Sequence, residues 1–328
     1  MATISDVAKR AGVSPSAVSG VLNNSIKVKP ETRRRIEQAV EELNYRPHAM
    51  ARGLRTKTPP AWGLVIPSID NPYYPAVARG VEDVARSLGL ALYVCNTDHK
   101  KDQEEAYLER LVSQASGVIV TDTRADARKI KALLDNGVCV VLVNPRFDIK
   151  GARVITIDYR TGSIEAVEHL ASLGHERIGY ICGPSGVWRF EERLEGYRLG
   201  LAAAGLTYDD ALVVEADLTA GGGYRACREL LTRRPQPTAL MFANDIMAVG
   251  GLSAISDAGL RVPDDVSVVG FDNIALLDYV RPFLTTVYQP SYELGRVAGE
   301  SLAEKSPGPA RRLATRLVVR DSCGRVAG

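Results

Sequence analysis

The 328-residue chain contains no apolar run approaching the roughly 18–20 residues that a membrane-crossing helix needs. Its N-terminus carries neither the basic n-region nor the apolar h-region of a secretory leader. Cysteine is scarce. Cys95, Cys139, Cys182, Cys227 and Cys323 are scattered, odd in number and without C-x-x-C spacing. That excludes a disulfide framework or a zinc cage and fits a reducing compartment, so a cytoplasmic location is expected. The four histidines, His48, His99, His169 and His175, lack metal-ligand spacing, and His175 in "LGHERIGY" reads as a structural turn residue. Neither a metal nor a cofactor is expected. Strong net charge is also missing: the formal total is +2, with 45% hydrophobic and 24% charged residues, an ordinary globular composition.

The small net charge is unevenly placed. Residues 1–60 hold 11 Lys+Arg against 5 Asp+Glu, whereas the remainder is mildly acidic. A basic head on an acidic body points to a polyanionic partner for the head. The head also carries helical patterning that a solvated tail would not. Thr3 is placed to cap a first helix, with Asp6 as its reciprocal acidic partner. Val7, Ala8 and Ala11 form a stripe, and Gly12 stops the helix. Ser14 then suits an N-cap and Pro15 the first position of a second helix, which turns Val18, Val21 and Leu22 inward. A third helix starts at Pro30 and buries Ile36, Ala39, Val40 and Leu43, with Arg33, Arg34 and Arg35 opposite. Three short helices with a four-residue turn between the first two describe a helix-turn-helix unit, which presents its second helix to the DNA major groove.

The stretches "TISDVAKRAGVSPSAVSGVLN" and "VKPETRRRIEQAVEELNYRPHAMARGLRT" resemble the head of the lactose-repressor (LacI/GalR) family of bacterial transcription regulators. The resemblance implies base reading from Pro15, Ser16 and the position of Gly20, and phosphate contacts from Ser14, Ser19 and Asn23. Thr3, Lys29 and Arg52 complete the expected DNA-facing set. Gly20 offers no side chain where many relatives place a base-reading one. Lys29 stands at the third helix's N-cap where serine is commoner, trading a cap for a positive charge. The segment after the head, residues 47–60, contains "HAMARGLRT" between prolines and is too short to be a stable helix alone. In the relatives it folds on DNA, where a leucine, here Leu54, wedges into the minor groove.

From Trp62 the pattern changes. "WGLVIPSI", "ALYVCNT", "GVIVTD", "CVVLVN" and "VITIDY" are apolar runs of strand length separated by amphipathic stretches. The alternation restarts with "RIGYICG", "LVVEAD", "ALMFAND" and "VSVVGFDN". Strand–helix alternation predicts an α/β body with two parallel sheets and a cleft between them. Ligands bind such sheets beyond the strands' C-terminal ends. There the polar turns "SIDNPYY", "GPSGVWRFEER", "NDI", "DN" and "QP" collect. This body is similar to the family's effector domain, which shares its fold with periplasmic sugar-binding proteins. The expected architecture is therefore a helix-turn-helix domain (1–46), a hinge (47–60) and a two-lobed effector domain (61–328). Lobe 1 is expected at about 61–159 and 289–315, and lobe 2 at about 160–288 and 316–328. The resemblance implies a cleft lined by Asp70, Asn71, Tyr73, Tyr74, Arg193, Asn244, Asp272 and Gln289. Trp188, in the loop leading to Arg193, could stack on a sugar or be buried structurally.

A carboxylate, amides, a planar guanidinium and flat aromatics suit a small polyhydroxylated ligand, and a sugar is favoured. A purine or nucleoside fits the same inventory. Catalysis finds no support: "GGGYRAC", residues 221–227, lacks the phosphate-loop lysine and spacing, and "PSGVW" is no nucleophile elbow. A transport-type solute-binding protein would share the body but not the basic head. The resemblance and a single helix-turn-helix per chain imply double-stranded operator DNA as partner and a homodimer to read two half-sites. No leucine heptad follows residue 305, so no tetramerising tail is expected.

Overall fold

The computed structural model describes residues 2–22, 26–45, 61–147, 149–304 and 308–326. The chain forms two compact units, one within residues 1–60 and one over 61–328.

The first unit contains α1 (Ile4–Ala11), α2 (Pro15–Leu22) and α3 (Pro30–Glu42). Thr3 and Asp6 close a reciprocal capping box: Thr3 Oγ1 accepts from the Asp6 N–H at 3.3 Å, and Asp6 Oδ2 accepts from the Thr3 N–H at 2.8 Å. Gly12 ends α1 in the left-handed region at φ 63°. Ser14 Oγ then accepts from the Ala17 N–H at 3.2 Å and opens α2. Val7, Ala8, Ala11, Val18, Val21, Ile36 and Ala39 form the core of this unit. Lys29 stands at the N-cap of α3 without a side-chain cap bond, as its chemistry dictates.

The second unit has two sheets. Lobe 1 contains β1 (Ala61–Ile66), α4 (Tyr73–Ser87), β2 (Ala91–Asn96), α5 (Lys101–Gln114), β3 (Gly117–Thr121), α6 (Ala127–Asp135), β4 (Cys139–Val143) and β5 (Arg153–Ile157). The chain then builds lobe 2 with α7 (Tyr159–Ser172), β6 (Ile178–Cys182), α8 (Trp188–Ala203), β7 (Val213–Glu215), α9 (Ala220–Leu231), β8 (Ala239–Phe242), α10 (Asp245–Asp257), β9 (Ser267–Asp272) and β10 (Thr285–Tyr288). It returns to lobe 1 for α11 (Ser291–Ala303) and β11 (Arg311–Leu313), and to lobe 2 for β12 (Arg316–Val318). The exchanges between lobes thus fall at residues 158, 289–290 and 314–315.

The sheet orders are β11-β5-β4-β3-β1-β2 and β12-β10-β9-β8-β6-β7. All pairings are parallel except β10 with β12. β1, β3, β6, β8 and β9 are buried along their length, because helices cover both faces. β2, although an apolar run, is not buried along its length. It is an edge strand, with Tyr93 47% and Val94 43% exposed. In both sheets strand order reverses beside the first strand, at β1/β3 and at β6/β8, where a ligand crevice is expected.

Helices approach closely where glycines meet. A Cβ on Gly80 of α4 would lie 2.1 Å from the Tyr292 carbonyl oxygen, and one on Gly295 of α11 2.0 Å from that of Val77. These contacts are backbone, so no side-chain adjustment relieves them. Gly295→Leu should force α4 and α11 apart and destabilise the second unit by roughly 1–3 kcal/mol or more, read as a lowered urea midpoint. An unchanged midpoint would show that the helix pair tolerates separation.

Candidate functional site

In the first unit, Ser14, Pro15 and Ser16 are exposed together at the start of α2, with the two hydroxyls 2.9 Å apart. Exposed hydroxyls at a helix N-terminus suit an anion such as phosphate. Thr3 is exposed, but its hydroxyl is engaged by Asp6 at 2.7 Å as well as by the cap. Lys29 is exposed and Ser19 half-buried. Gly20 is buried: a Cβ there would come 2.5 Å from two atoms of the Ile26 side chain. Its small size therefore serves packing within the head. Asn23, Arg52, Leu54 and the hinge at 47–60 lie outside the described residues.

In the second unit the interlobe crevice holds a cavity of about 420 Å³. It is lined by Asp70, Asn71, Tyr73, Tyr74, Arg193, Asn244, Asp272 and Gln289, all expected from the sequence, and by Ser68, Asp98, His99, Tyr159, Arg189 and Phe190, which were not. Backbone conformation marks the same place. Asp98, His99, Asp122, Asn144 and Asp272 all have φ between 49° and 122° and all stand at or just after strand C-termini. Non-glycine residues in that region cost conformational energy and concentrate at functional sites.

Asp272, the last residue of β9, is the hub of the lobe 2 wall. Its carboxylate accepts from Gln289 Nε2, from Asn71 Nδ2 at 3.4 Å, and pairs with Arg193 Nη2 at 3.6 Å. Asn71 belongs to lobe 1, so this contact crosses the crevice. Arg193 also donates to the Ala243 carbonyl, and its guanidinium carbon lies 3.8 Å from the Phe271 ring centroid and 4.9 Å from that of Tyr159. Burial raises the Asp272 carboxyl against the pull of Arg193. Burial also raises Asp245 behind it, with Asp272 as a like-charged neighbour. Asp245 is held by the Thr286 hydroxyl at 2.5 Å and the Ile274 N–H at 2.9 Å. Among the described residues, Gln289 Oε1 and Arg193 Nε are buried with no hydrogen-bond partner.

The second buried ion pair, unlike the first, joins the two lobes across the crevice. Arg189 Nη1 of α8 lies 2.8 Å from Asp122 Oδ2, directly after β3, and both side chains are 7% exposed. Asp122 also accepts from the Tyr74 hydroxyl at 3.2 Å. Asn144 Nδ2 donates to Tyr159 Oη at 2.7 Å, and its Oδ1 accepts from the Ile157 N–H at 2.9 Å. Sequence reasoning passed over Asp122 and Arg189, although each carries a signal. Asp122 follows an apolar strand as Asp272 does, and Arg189 precedes Arg193 by four residues on one helix face.

Two expected residues take other roles. Asn244 lines the cavity, but its Oδ1 accepts from the Met247 N–H at 2.8 Å as a helix cap and its Nδ2 donates to the Leu218 carbonyl of a neighbouring loop at 3.3 Å, so both polar ends are engaged by backbone. Trp188 does not line the cavity. It opens α8, is 42% exposed, and borders a neighbouring cavity of about 320 Å³. With Arg189 and Arg193 facing the crevice, the helical step of ~100° turns Trp188 away. His175 is structural: its ring nitrogens bond Thr238 Oγ1 and Ser267 Oγ, both at 2.9 Å.

A helical head and a body of two α/β lobes around a polar cavity define a ligand-responsive regulator. Residues 3–48 match the bacterial regulatory proteins of the lacI family, and residues 167–323 match the periplasmic binding protein-like domain. The chain is 37% identical to the ribose operon repressor of Halalkalibacterium halodurans, over 98% of this chain and 97% of that one. It is 34% identical to the HTH-type transcriptional repressor PurR of Photobacterium profundum, over 93% and 92%. Among solved structures, the lac repressor dimer bound to operator and an anti-inducer superposes with a TM-score of 0.85 at 28% identity, over 99% of each chain. The chain belongs to the lacI family: it is a transcriptional regulator with an effector-binding domain.

Removing one partner of a buried ion pair strands the other charge. Arg193→Met should therefore destabilise the body by roughly 3 kcal/mol and, with Asp272→Asn added, recover most of the loss. Urea unfolding of the two variants checks this; a double variant no more stable than the single one would dissolve the pairing. A second expectation concerns pH. Burial, reinforced by Arg189 and Arg124, lowers the His99 imidazole from 6.5 to about 4. Between those values the unfolded chain takes up a proton that the folded chain refuses, so stability present above pH 6.5 is lost as pH falls toward 4. His99→Gln should flatten the fall in unfolding free energy over that window, and an identical slope in both proteins would contradict it.

Proposed function

We propose that this protein is a homodimeric repressor whose affinity for operator DNA is set by a sugar or sugar derivative bound between the two lobes. One observation carries the reading: Asp272, Arg193, Asn71 and Gln289 converge on one cavity, beside Tyr73, with the buried Gln289 Oε1 and Arg193 Nε still lacking partners. A carboxylate and an amide oxygen accept from hydroxyls, a guanidinium donates to them, and an aromatic face covers the apolar side of a ring. The relation to a ribose operon repressor supports the same ligand class. A purine or nucleoside is the second reading, favoured by the relation to PurR.

The head supports DNA as partner through its exposed Ser14, Pro15 and Ser16 at the start of α2 and its excess of basic residues. Asn23, Arg52 and the minor-groove wedge Leu54 belong to the same proposal, as do Ser19, Gly20, Lys29 and Thr3. Two copies are supported by the exposed apolar residues Ile69, Tyr93 and Val94 at and near the free edge of the lobe 1 sheet. Ligand that binds one lobe arrangement preferentially shifts operator affinity, and operator shifts ligand affinity by the same factor.

Thermal melting against D-ribose, D-galactose, adenosine and hypoxanthine tests the reading. A true effector at about 100 times its dissociation constant adds about 2.7 kcal/mol. The expected hit is a sugar that also changes operator affinity. Stabilisation by adenosine or hypoxanthine alone would replace the sugar reading with the purine one.

A further inference from the structure

The buried charges of the crevice come in two closed pairs, Arg193 with Asp272 at 3.6 Å and Arg189 with Asp122 at 2.8 Å. Every one of these side chains is at most 7% exposed. Two guanidiniums therefore meet two carboxylates, leaving no buried cation in surplus. The only other basic group lining the cavity among the described residues is His99, whose imidazole burial keeps neutral at ordinary pH. Towards solvent the lining adds Asp70, Asp98 and Asp217, all exposed. Arg225 pairs with Asp217 at 2.8 Å, and among the described residues no ion pair neutralises Asp70 or Asp98. An anionic ligand thus passes an acidic mouth and finds each arginine's charge already paired with a carboxylate.

The Arg189–Asp122 pair sits where such a ligand would otherwise be held. Arg189 borders both the 420 Å³ cavity and its 320 Å³ neighbour, while Asp122 borders the latter. The planar fork of an arginine receives phosphate or carboxylate oxygens two at a time. Here one nitrogen of that fork, Nη1, already faces the chain's own carboxylate, from the opposite lobe. A ligand phosphate would have to displace Asp122, leaving a buried anion supported, among the described residues, by the Tyr74 hydroxyl and the Asn144 amide, the latter 3.5 Å away.

We infer that this cleft selects uncharged ligands, and that Asp122 is the specificity-determining residue, occupying Arg189 so that phosphate- and carboxylate-bearing molecules are refused. The inference rests on the reading of the cavity as the effector site and narrows its ligand to an unphosphorylated polyol or nucleoside.

The test is calorimetric and thermal-shift titration of the full chain with matched pairs: D-ribose and ribose 5-phosphate, D-galactose and galactose 6-phosphate, adenosine and adenosine monophosphate. In any pair that binds, the phosphorylated member should be roughly a hundredfold weaker, as expected for a like charge set against like charges. A phosphorylated member binding as tightly as its partner, or tighter, overturns the inference; where that pair is a sugar and its phosphate, the sugar-derivative reading stands. The second measurement needs no effector. Inorganic phosphate should stabilise Asp122→Asn more than wild type, with affinity gained roughly tenfold or more, and Asp122→Asn/Arg189→Met should lose the gain. A folded D122N protein with the wild-type phosphate response overturns the inference; should D122N fail to fold, Asp122→Ser is read in the same way beside the matched pairs. A gain in D122N together with silence from every sugar would leave the charge selection intact and remove the sugar reading.

Discussion

The body depends on neutralising charge inside the crevice between its lobes. Asp122 and Asp272 are carboxylates at the ends of parallel strands, and neither is accessible enough for water to solvate it. Each is compensated by an arginine from one helix, α8, at positions four residues apart. Because Asp122 belongs to lobe 1 and Arg189 to lobe 2, the same pairing that satisfies the charges also ties the lobes together. A buried pair of this kind contributes little net stability against an apolar alternative, but loss of either member is severe. Its value here is geometric: it defines which lobe arrangement leaves no charge stranded.

The fold makes this arrangement possible through two features. Parallel strands direct all their C-terminal ends to one edge of each sheet, so the polar residues that follow them meet across one crevice. The chain crosses between lobes three times, at residues 158, 289–290 and 314–315, and Gln289 sits in one of those crossings. A residue there touches Asp272 through its amide while its backbone N–H bonds the Asp272 carbonyl at 3.3 Å. The lobe 2 wall and a crossing between the lobes are thus joined at one residue. The helices outside the sheets hold the frame at glycine contacts such as Gly80 and Gly295, where backbone meets backbone.

The charge pattern also separates what recognises a ligand from what supports the recogniser. Arg193 touches the cavity, yet its guanidinium is also stacked on Phe271 and bonded to the Ala243 carbonyl, so it is part of the lobe 2 core. Asn244 lines the cavity while both its polar ends cap or brace backbone. The unmet polar atoms, Gln289 Oε1 and Arg193 Nε, lie beside the fully satisfied ones.

Much was determined by the sequence alone. Thr3, Asp6, Gly12 and Pro15 specify the head locally, because caps and turn residues act over three or four positions. The alternation of apolar runs specifies two parallel sheets, because a strand covered on both faces must be apolar throughout. Parallel topology then points to the strand ends, and so to Asp70, Asn71, Asp272 and Gln289. What only tertiary structure decided is which of these polar residues are already engaged. Asp122 and Arg189 lie 67 positions apart and in different lobes, and no local pattern announces their contact. Trp188 turns out of the cleft for a related reason: the phase of α8 is set by two buried arginines whose partners come from elsewhere in the chain. Pairwise charge compensation is a long-range property, and it exists only once the lobes have met.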